Sequence, residues 1–122
     1  MARIIGGIGA SHSPTIGFAK DTGKHQDPAW KPIFEGFDQI RHWVKEKKID
    51  VLFTIYNDHV TSFFFDHYSS FTLGIDDIYV AADEGGGPRD VAPAHGHLGL
   101  SQHIAKAFVA DEFDLSFFQG KP

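Results

Sequence analysis

Hydrophobic residues fall into short runs, separated by polar stretches that contain glycine and proline. Two of these runs, "RIIGGIGA" at 3–10 and "DVLFTIYN" at 50–57, predict strands, the second of them covered on both faces. Shorter runs at 70–75 and 114–118 predict two more. The glycines of the first run indicate that another group packs closely against its backbone.

Two longer segments, 28–48 and 97–113, repeat apolar residues at intervals of three and four, which is typical of amphipathic helices. Asp27 suits an N-cap, and Pro28 suits the first helical position. The apolar positions are Ile33, Phe37, Ile40 and Val44 in the first segment and Leu100, Ile104, Ala107 and Phe108 in the second.

The polar stretches 11–27 and 76–97 predict loops, and 60–66 predicts a loop or a short helix. The order strand–helix–strand–strand–helix–strand indicates an α/β sandwich, with a mostly parallel central sheet flanked by helices. Only "QGKP" follows the last strand, so we expect a sheet that is incomplete at its C-terminal end. Residues 1–122 show no repeat or linker and predict one domain.

Composition narrows the function classes. The net charge is −5 and no long basic cluster occurs, which argues against nucleic-acid binding. There are no cysteines, which excludes disulfides and thiolate chemistry and fits a reducing cytoplasm. No apolar run is long enough for a signal peptide or a membrane span. We therefore expect a soluble cytoplasmic protein.

Two histidines follow the two principal strands. His12 comes after the first run and His59 after the second. Ligands of open α/β sheets bind at the carboxyl ends of strands, so neighbouring strands would bring both imidazoles together. Two interpretations stay open: each histidine caps its strand, or the pair binds a metal such as iron, zinc or copper.

A facial triad would need one carboxylate beside the two histidines. Asp58 adjoins His59, and on an extended backbone it would point to the opposite side. None of the nearby carboxylates makes a convincing third ligand. They are Asp58, Asp66, Asp83 and Glu84.

Two glycine-rich motifs are weak matches to nucleotide-binding loops. "GGIGASH" has His12 at the third glycine position, and Pro14 argues against a helix starting there. "DEGGGPRD" at 83–90 lacks the lysine and hydroxyl residue of a phosphate-binding loop. It is either an active-site lid or a surface loop. Three alternatives stay open for Arg89: it clamps a substrate carboxylate, it pairs with Asp90, or it does neither.

The remaining histidines and serines carry weaker signals. His95, His97 and His103 lack the spacing of one helix face, so exposed or capping roles are favoured. We expect two further histidines, His25 and His42, to be exposed. The serines Ser11 and Ser13 lie outside any G-x-S-x-G motif, which disfavours a serine hydrolase.

Four motifs together resemble one family. They are "GIGASHSPTIGFA", "IYNDH", "ADEGGGPRD" and "HIAKAFVADEFDLSFFQG", in collinear order along the chain. The set is similar to the catalytic subunits of class III, LigB-type extradiol ring-cleaving dioxygenases. The likeness is strongest to gallate dioxygenases and also extends to protocatechuate 4,5-dioxygenases.

The resemblance implies a set of site residues and an activity. His12 and His59 would bind Fe(II), while Ser13 and Asn57 would lie beside the substrate. The substrates would be O2 and a dihydroxy- or trihydroxybenzoate such as gallate or protocatechuate, as in lignin degradation. The family's third ligand, a glutamate, and its acid–base histidine would lie beyond Pro122, so no catalytic residue is assigned here.

Residues 1–122 are therefore expected to be the N-terminal part of the catalytic domain. The remainder of that domain or a second subunit would complete it, in a homo- or hetero-oligomer. The alternative is a catalytically inactive fragment that binds a metal, or a partner through the unfinished edge of its sheet.

Overall fold

A computed structural model describes residues 2–83, 87 and 89–120. The chain is a mixed α/β protein that divides into two compact units, Met1–Leu52 and Phe53–Pro122. In chain order the elements are α1 (Pro14–Asp21), a 3-10 turn (Lys24–Gln26), α2 (Lys31–Lys47), β1 (Phe71–Gly74), β2 (Ile78–Tyr79), β3 (Ala94–His95), α3 (Leu98–Ala110) and β4 (Leu115–Phe118).

Helix α1 shows that the loop predicted at 11–27 is wrong. Ser13 occupies the N-cap position and Pro14 begins the helix. A proline is favourable there because the first amides of a helix have no intrahelical partner and its φ is already helical. Ala19 on this helix is fully buried. The prediction treated Pro14 as a helix breaker, but the residue starts the helix.

Helix α2 confirms the helix predicted at 28–48, with a later start. The amides of Trp30 and Lys31 both donate to the carbonyl of Asp27, at 2.9 and 2.8 Å, so a turn precedes the helix. Lys48 ends it in the left-handed conformation, with φ 50°. The half-buried residues of α2 are Phe34, Gly36, Phe37, Ile40, Trp43 and Val44, whereas Ile33 is exposed.

The segment at 3–10 forms no strand, contrary to the prediction. A strand requires a partner for its backbone groups, and no other segment of the described residues pairs with this one. Ile4 is 96% exposed. The expected close packing occurs at Gly6, where an added Cβ would lie 2.9 Å from the ring of Trp43. The backbone of this segment therefore rests against α2.

The strand predicted at 50–57 is also absent. Its apolar side chains stay outside any core: Leu52 is 62% exposed and Ile55 is 85% exposed. A continuous apolar run suits a strand covered on both faces, and neither face is covered here. Residues 60–66 contain turns and no helix, which confirms the loop alternative.

Strands β1 and β4 form a parallel pair in which Phe71 faces Leu115 and Gly74 faces Phe118. Parallel strands need a crossover connection, and α3 lies within it, as predicted for 97–113. Ala105 on α3 is 7% exposed. The two strands predicted at 70–75 and 114–118 are therefore confirmed.

Hydrogen bonds fasten both ends of the parallel pair. Before β1, the amide of Ser70 donates to a carboxylate oxygen of Asp114 at 2.6 Å. Beyond the strands, the amide of Ile75 donates to the carbonyl of Phe118 at 3.0 Å. The amide of Gly120 donates to the carboxylate of Asp76 at 2.6 Å.

The loop predicted at 76–97 contains a second, antiparallel pair, β2 with β3, in which Ile78 faces His95. The pair is two residues long on each side, too short for a periodic sequence signal. Gly96 follows it, and its amide donates to the carbonyl of Asp77 at 2.7 Å. An added Cβ at Gly96 would overlap the carbonyl oxygen of Asp76.

Among the described residues, no helix combines the length and apolar character needed to cross a bilayer.

We predict that Gly96→Ala destabilises the fold by about 1–3 kcal/mol, the usual cost of overpacking, because the obstructing atom belongs to the backbone. Urea unfolding measures the change. Gly99→Ala is the matched control, since its Cβ would meet nothing closer than 4.0 Å and the residue lies in α3. The control should be neutral or stabilising by up to about 1 kcal/mol. Equal effects of the two variants would contradict the prediction.

We predict that Asp114→Asn lowers stability most at neutral pH. Hydrogen bonds from the hydroxyl and amide of Ser70 hold the pKa of Asp114 below its ordinary value of 3.8. A depressed folded pKa contributes stability above the unfolded value, and the contribution is lost as the pH falls through the folded one. The difference from wild type should therefore shrink below about pH 4. Urea midpoints from pH 2 to 7 check this; a constant difference would contradict it.

Candidate metal and substrate site

His12 and Ser13 lie where the N-terminal segment enters α1. His12 is exposed, as is Ser13, the N-cap residue. The hydroxyl of Ser13 makes a 2.7 Å hydrogen bond with that of Thr15. Ser13, the candidate substrate contact, is therefore part of the start of α1, and His12, the candidate metal ligand, directly precedes it.

Asp58 organises a turn that contains His59 and directly follows Asn57. One carboxylate oxygen of Asp58 accepts from the amides of Thr61 and Phe63, at 3.1 and 3.2 Å. The other accepts from the hydroxyl of Thr61 at 2.9 Å and the amide of Ser62 at 3.3 Å. Such side-chain to backbone bonds stabilise turns. Both Asn57 and His59 are exposed.

These bonds set the charge state of Asp58. Partial burial disfavours its ionised form, but the hydrogen bonds from Thr61, Phe63 and Ser62 outweigh burial, so the pKa of Asp58 lies below its ordinary value. The side chain is therefore an anion at neutral pH. It turns toward the following residues of a loop, whereas an extended backbone was expected here.

Val60, directly after His59, has φ 61°. Side chains branched at Cβ rarely adopt this left-handed conformation, and such strain costs about 1–3 kcal/mol. Other interactions must offset that cost. The bonds from Thr61 and Phe63 to Asp58 span Val60 and contribute to this offset. The turn that carries His59 is therefore held in one unusual conformation.

Tyr56 belongs to the same segment and was missed by sequence reasoning. Its partial burial, then the charge of Asp58 and the nearby Tyr79, raise the pKa of the Tyr56 phenol. The phenol therefore keeps its proton at neutral pH and can donate a hydrogen bond. Its place beside Asn57 was the only signal in the sequence.

The other predicted carboxylates and histidines that the structure describes do not form a metal cluster. Among the described residues, no group of three or more candidate ligand side chains lies close enough to hold an ion. Asp66 is exposed, and Asp83 accepts a hydrogen bond from the amide of Gly87 at 3.0 Å. Glu84, with part of the loop at 83–90, lies outside the described residues, and Arg89 is exposed.

Three further histidines contact neighbouring groups of the fold. The imidazole of His97 caps α3 by accepting from the amide of Leu100 at 3.2 Å, which confirms the capping alternative. His42 contacts the carbonyl of Asp38 within α2 at 2.8 Å. His25 is exposed and its ring meets Phe34 edge-on. His95 and His103 are also exposed.

A second polar cluster surrounds His67. Its Nε2 lies 2.8 Å from the hydroxyl of Ser69, 2.9 Å from that of Ser116 and 3.0 Å from that of Thr72. Thr72 is on β1 and Ser116 is on β4, and their hydroxyls are 2.8 Å apart. The cluster ties the two strands together, which gives His67 a structural role.

Comparison with known proteins defines the class. The family described as the catalytic LigB subunit of aromatic ring-opening dioxygenase matches residues 6–122. This chain therefore belongs to the LigB family, which confirms the resemblance carried by the four motifs.

One relative is the gallate dioxygenase of Pseudomonas putida, which is 61% identical over 41 residues. The matched stretch makes up 34% of this chain and 12% of that enzyme, so it spans a small part of the relative's length.

We predict that Val60→Asn raises the free energy of unfolding by about 1 kcal/mol, because asparagine tolerates the left-handed conformation. Val91→Asn is the control; Val91 is exposed to a similar degree and is not among the residues with positive φ. The control should be neutral or destabilising. Thermal and urea unfolding of both variants measure the effect, and a loss of stability in Val60→Asn would refute the prediction.

Proposed function

We propose that this chain contributes to the active site of a non-haem Fe(II) extradiol dioxygenase. Its reaction would open the ring of gallate, protocatechuate or a related hydroxybenzoate beside the two hydroxyls, using O2. The observation that carries the proposal is the fixed turn of the "IYNDH" motif, which presents His59 in a chain that matches the LigB family over 6–122. The pathway would be aromatic-compound catabolism in the cytoplasm, including the breakdown of lignin-derived acids.

The donor chemistry of this chain fits such a metal in part. Imidazole is a suitable ligand for Fe(II), and His12 and His59 are both exposed, so a metal can reach them. Asp58 is unsuitable as a third ligand, because all its acceptor sites are engaged by the turn. The third ligand would come from elsewhere. Iron would supply Lewis acidity and oxygen activation when bound.

The substrate contacts would come from Ser13 and Asn57. The hydroxyl of Ser13 can donate or accept a hydrogen bond, and the amide of Asn57 offers both kinds of group. Ser13 directly follows His12, and Asn57 lies two residues before His59. Each would therefore be close enough to a proposed ligand to orient a bound aromatic acid. Tyr56, with its retained phenolic proton, is a further donor in the same segment.

Residues 1–122 would then form the N-terminal part of a larger catalytic domain. Parallel sheets are normally covered on both faces, yet β1 and β4 form only a two-stranded sheet in which Phe71 is 62% exposed. Further polypeptide would extend it into a sandwich and add the third ligand and an acid–base histidine. That polypeptide would be the rest of the domain or a second subunit, in a homo- or hetero-oligomer.

The exposed apolar surface also favours a second candidate function. In the second unit, Ile55 and Phe71 are each more than 60% exposed, and exposed apolar side chains of this kind suit contact with a partner. In this alternative the chain binds a metal weakly, or a partner through the edge of its sheet, and performs no catalysis.

We predict Fe(II)-dependent oxygen uptake with gallate or protocatechuate when this chain is reconstituted without air together with the polypeptide that supplies the third ligand. His12→Ala and His59→Ala should each lower uptake to near the background rate, because each would remove a ligand. An oxygen electrode measures uptake, and the absorbance of the ring-opened product confirms it. His42→Ala is the control, since His42 lies on α2 and contacts the carbonyl of Asp38.

Three outcomes distinguish the candidates. Uptake that both histidine variants abolish and the control retains supports the dioxygenase. Iron binding that both histidines require, without uptake, supports the non-catalytic alternative. Iron binding and uptake that are indifferent to His12 and His59 would refute the assignment of these residues.

A further inference from the structure

The carboxylate of Asp58 is saturated by the loop that follows it. It accepts four hydrogen bonds, at 2.9, 3.1, 3.2 and 3.3 Å, from the amides of Thr61, Ser62 and Phe63 and the hydroxyl of Thr61. A carboxylate offers about four lone-pair sites, so none remains for a metal or a substrate. Any contribution of Asp58 to the site must therefore act through another residue.

His59 is the residue through which Asp58 can best act on the site. His59 and Val60 are the only residues between Asp58 and Thr61, whose amide and hydroxyl both bind the carboxylate. The bonds thus close a short loop with His59 at its start. Val60 completes the loop in a left-handed conformation with φ 61°. A backbone held in this way limits the directions in which the His59 imidazole can point.

Three converging amides make this loop a preformed anion-binding turn that the chain fills with its own carboxylate. An asparagine at the same position would keep one oxygen and would place an N–H₂ group against backbone N–H donors. The turn would then lose about half of its hydrogen bonds without any change in side-chain size. The loop would relax, and its first residue would lose its fixed direction.

We propose that Asp58 is a positioning residue that aims His59 for metal binding. The inference rests on the proposed function, in which His59 is an iron ligand. It adds that the ligand is preorganised by the hydrogen bonds between Asp58, which precedes it, and Thr61, which follows it. Substituting a residue that orients a metal ligand typically costs 10–100-fold in metal affinity or activity.

The test compares Fe(II) affinity in the purified protein by chelator competition, with the visible absorption of the Co(II)-substituted protein as a spectroscopic readout. Asp58→Asn should weaken Fe(II) binding about 10–100-fold and alter the Co(II) spectrum. Thr61→Val, which removes only the hydroxyl bond, should weaken it by a smaller factor. Asp50→Asn, at an exposed aspartate outside the turn, is the matched control and should leave both readouts unchanged.

The outcomes separate this inference from the proposed function. If His59→Ala weakens Fe(II) binding while folded Asp58→Asn binds Fe(II) as wild type does, the positioning role is overturned and the proposed function stands. A lower melting temperature in Asp58→Asn with unchanged metal affinity would likewise show a merely structural role. If Asp58→Asn fails to fold, Thr61→Val decides, and unchanged affinity there overturns the inference. If His59→Ala leaves Fe(II) binding intact, both proposals fail.

Discussion

The parallel pairing of β1 with β4 is the interaction on which the second unit depends. The strands lie more than 40 residues apart in sequence, so their pairing closes a long loop and must offset its entropy. Polar anchors at both ends supply part of that stabilisation: Asp114 with Ser70, and Asp76 with Gly120. The hydroxyl cluster around His67 adds bonds between the strands, and α3 provides the crossover.

Hydrogen bonds to a carboxylate also stabilise the turn after residue 57. A single carboxylate, that of Asp58, satisfies three backbone amides that would otherwise need water or a sheet partner. The turn thereby becomes independent of any neighbouring strand. The turn keeps its conformation although the preceding apolar segment forms no strand, and the bonds of Asp58 fix the backbone on both sides of the proposed ligand His59.

Sequence reasoning succeeded where the signal was local and periodic. Helices α2 and α3 and strands β1 and β4 were predicted because their apolar spacing matches their surroundings. It failed at α1, because Pro14 was treated as a breaker although it suits the first position of a helix. The short β2–β3 pair has no periodicity to detect.

The candidate site was also predicted only in part from the sequence. His12 and His59 were predicted as ligands from their place after apolar runs and from the family resemblance, and they stay predictions. The four bonds of Asp58 were not found, because spacing alone cannot show that a carboxylate folds toward residues that follow it. Strands were predicted at 3–10 and 50–57 from their apolar runs. A strand also needs a second segment to pair with, and neither run has one among the described residues.

The exposed run at 51–56, "VLFTIY", has a consequence for the behaviour of the chain in concentrated solution. It is uncharged, free of proline and rich in residues that favour extended backbone. Six-residue segments of this kind stack with copies of themselves into cross-β fibrils when nothing covers them. The time for which the chain stays soluble then depends on how quickly other polypeptide covers this run. In each newly made molecule, covering of the run competes with stacking against other copies.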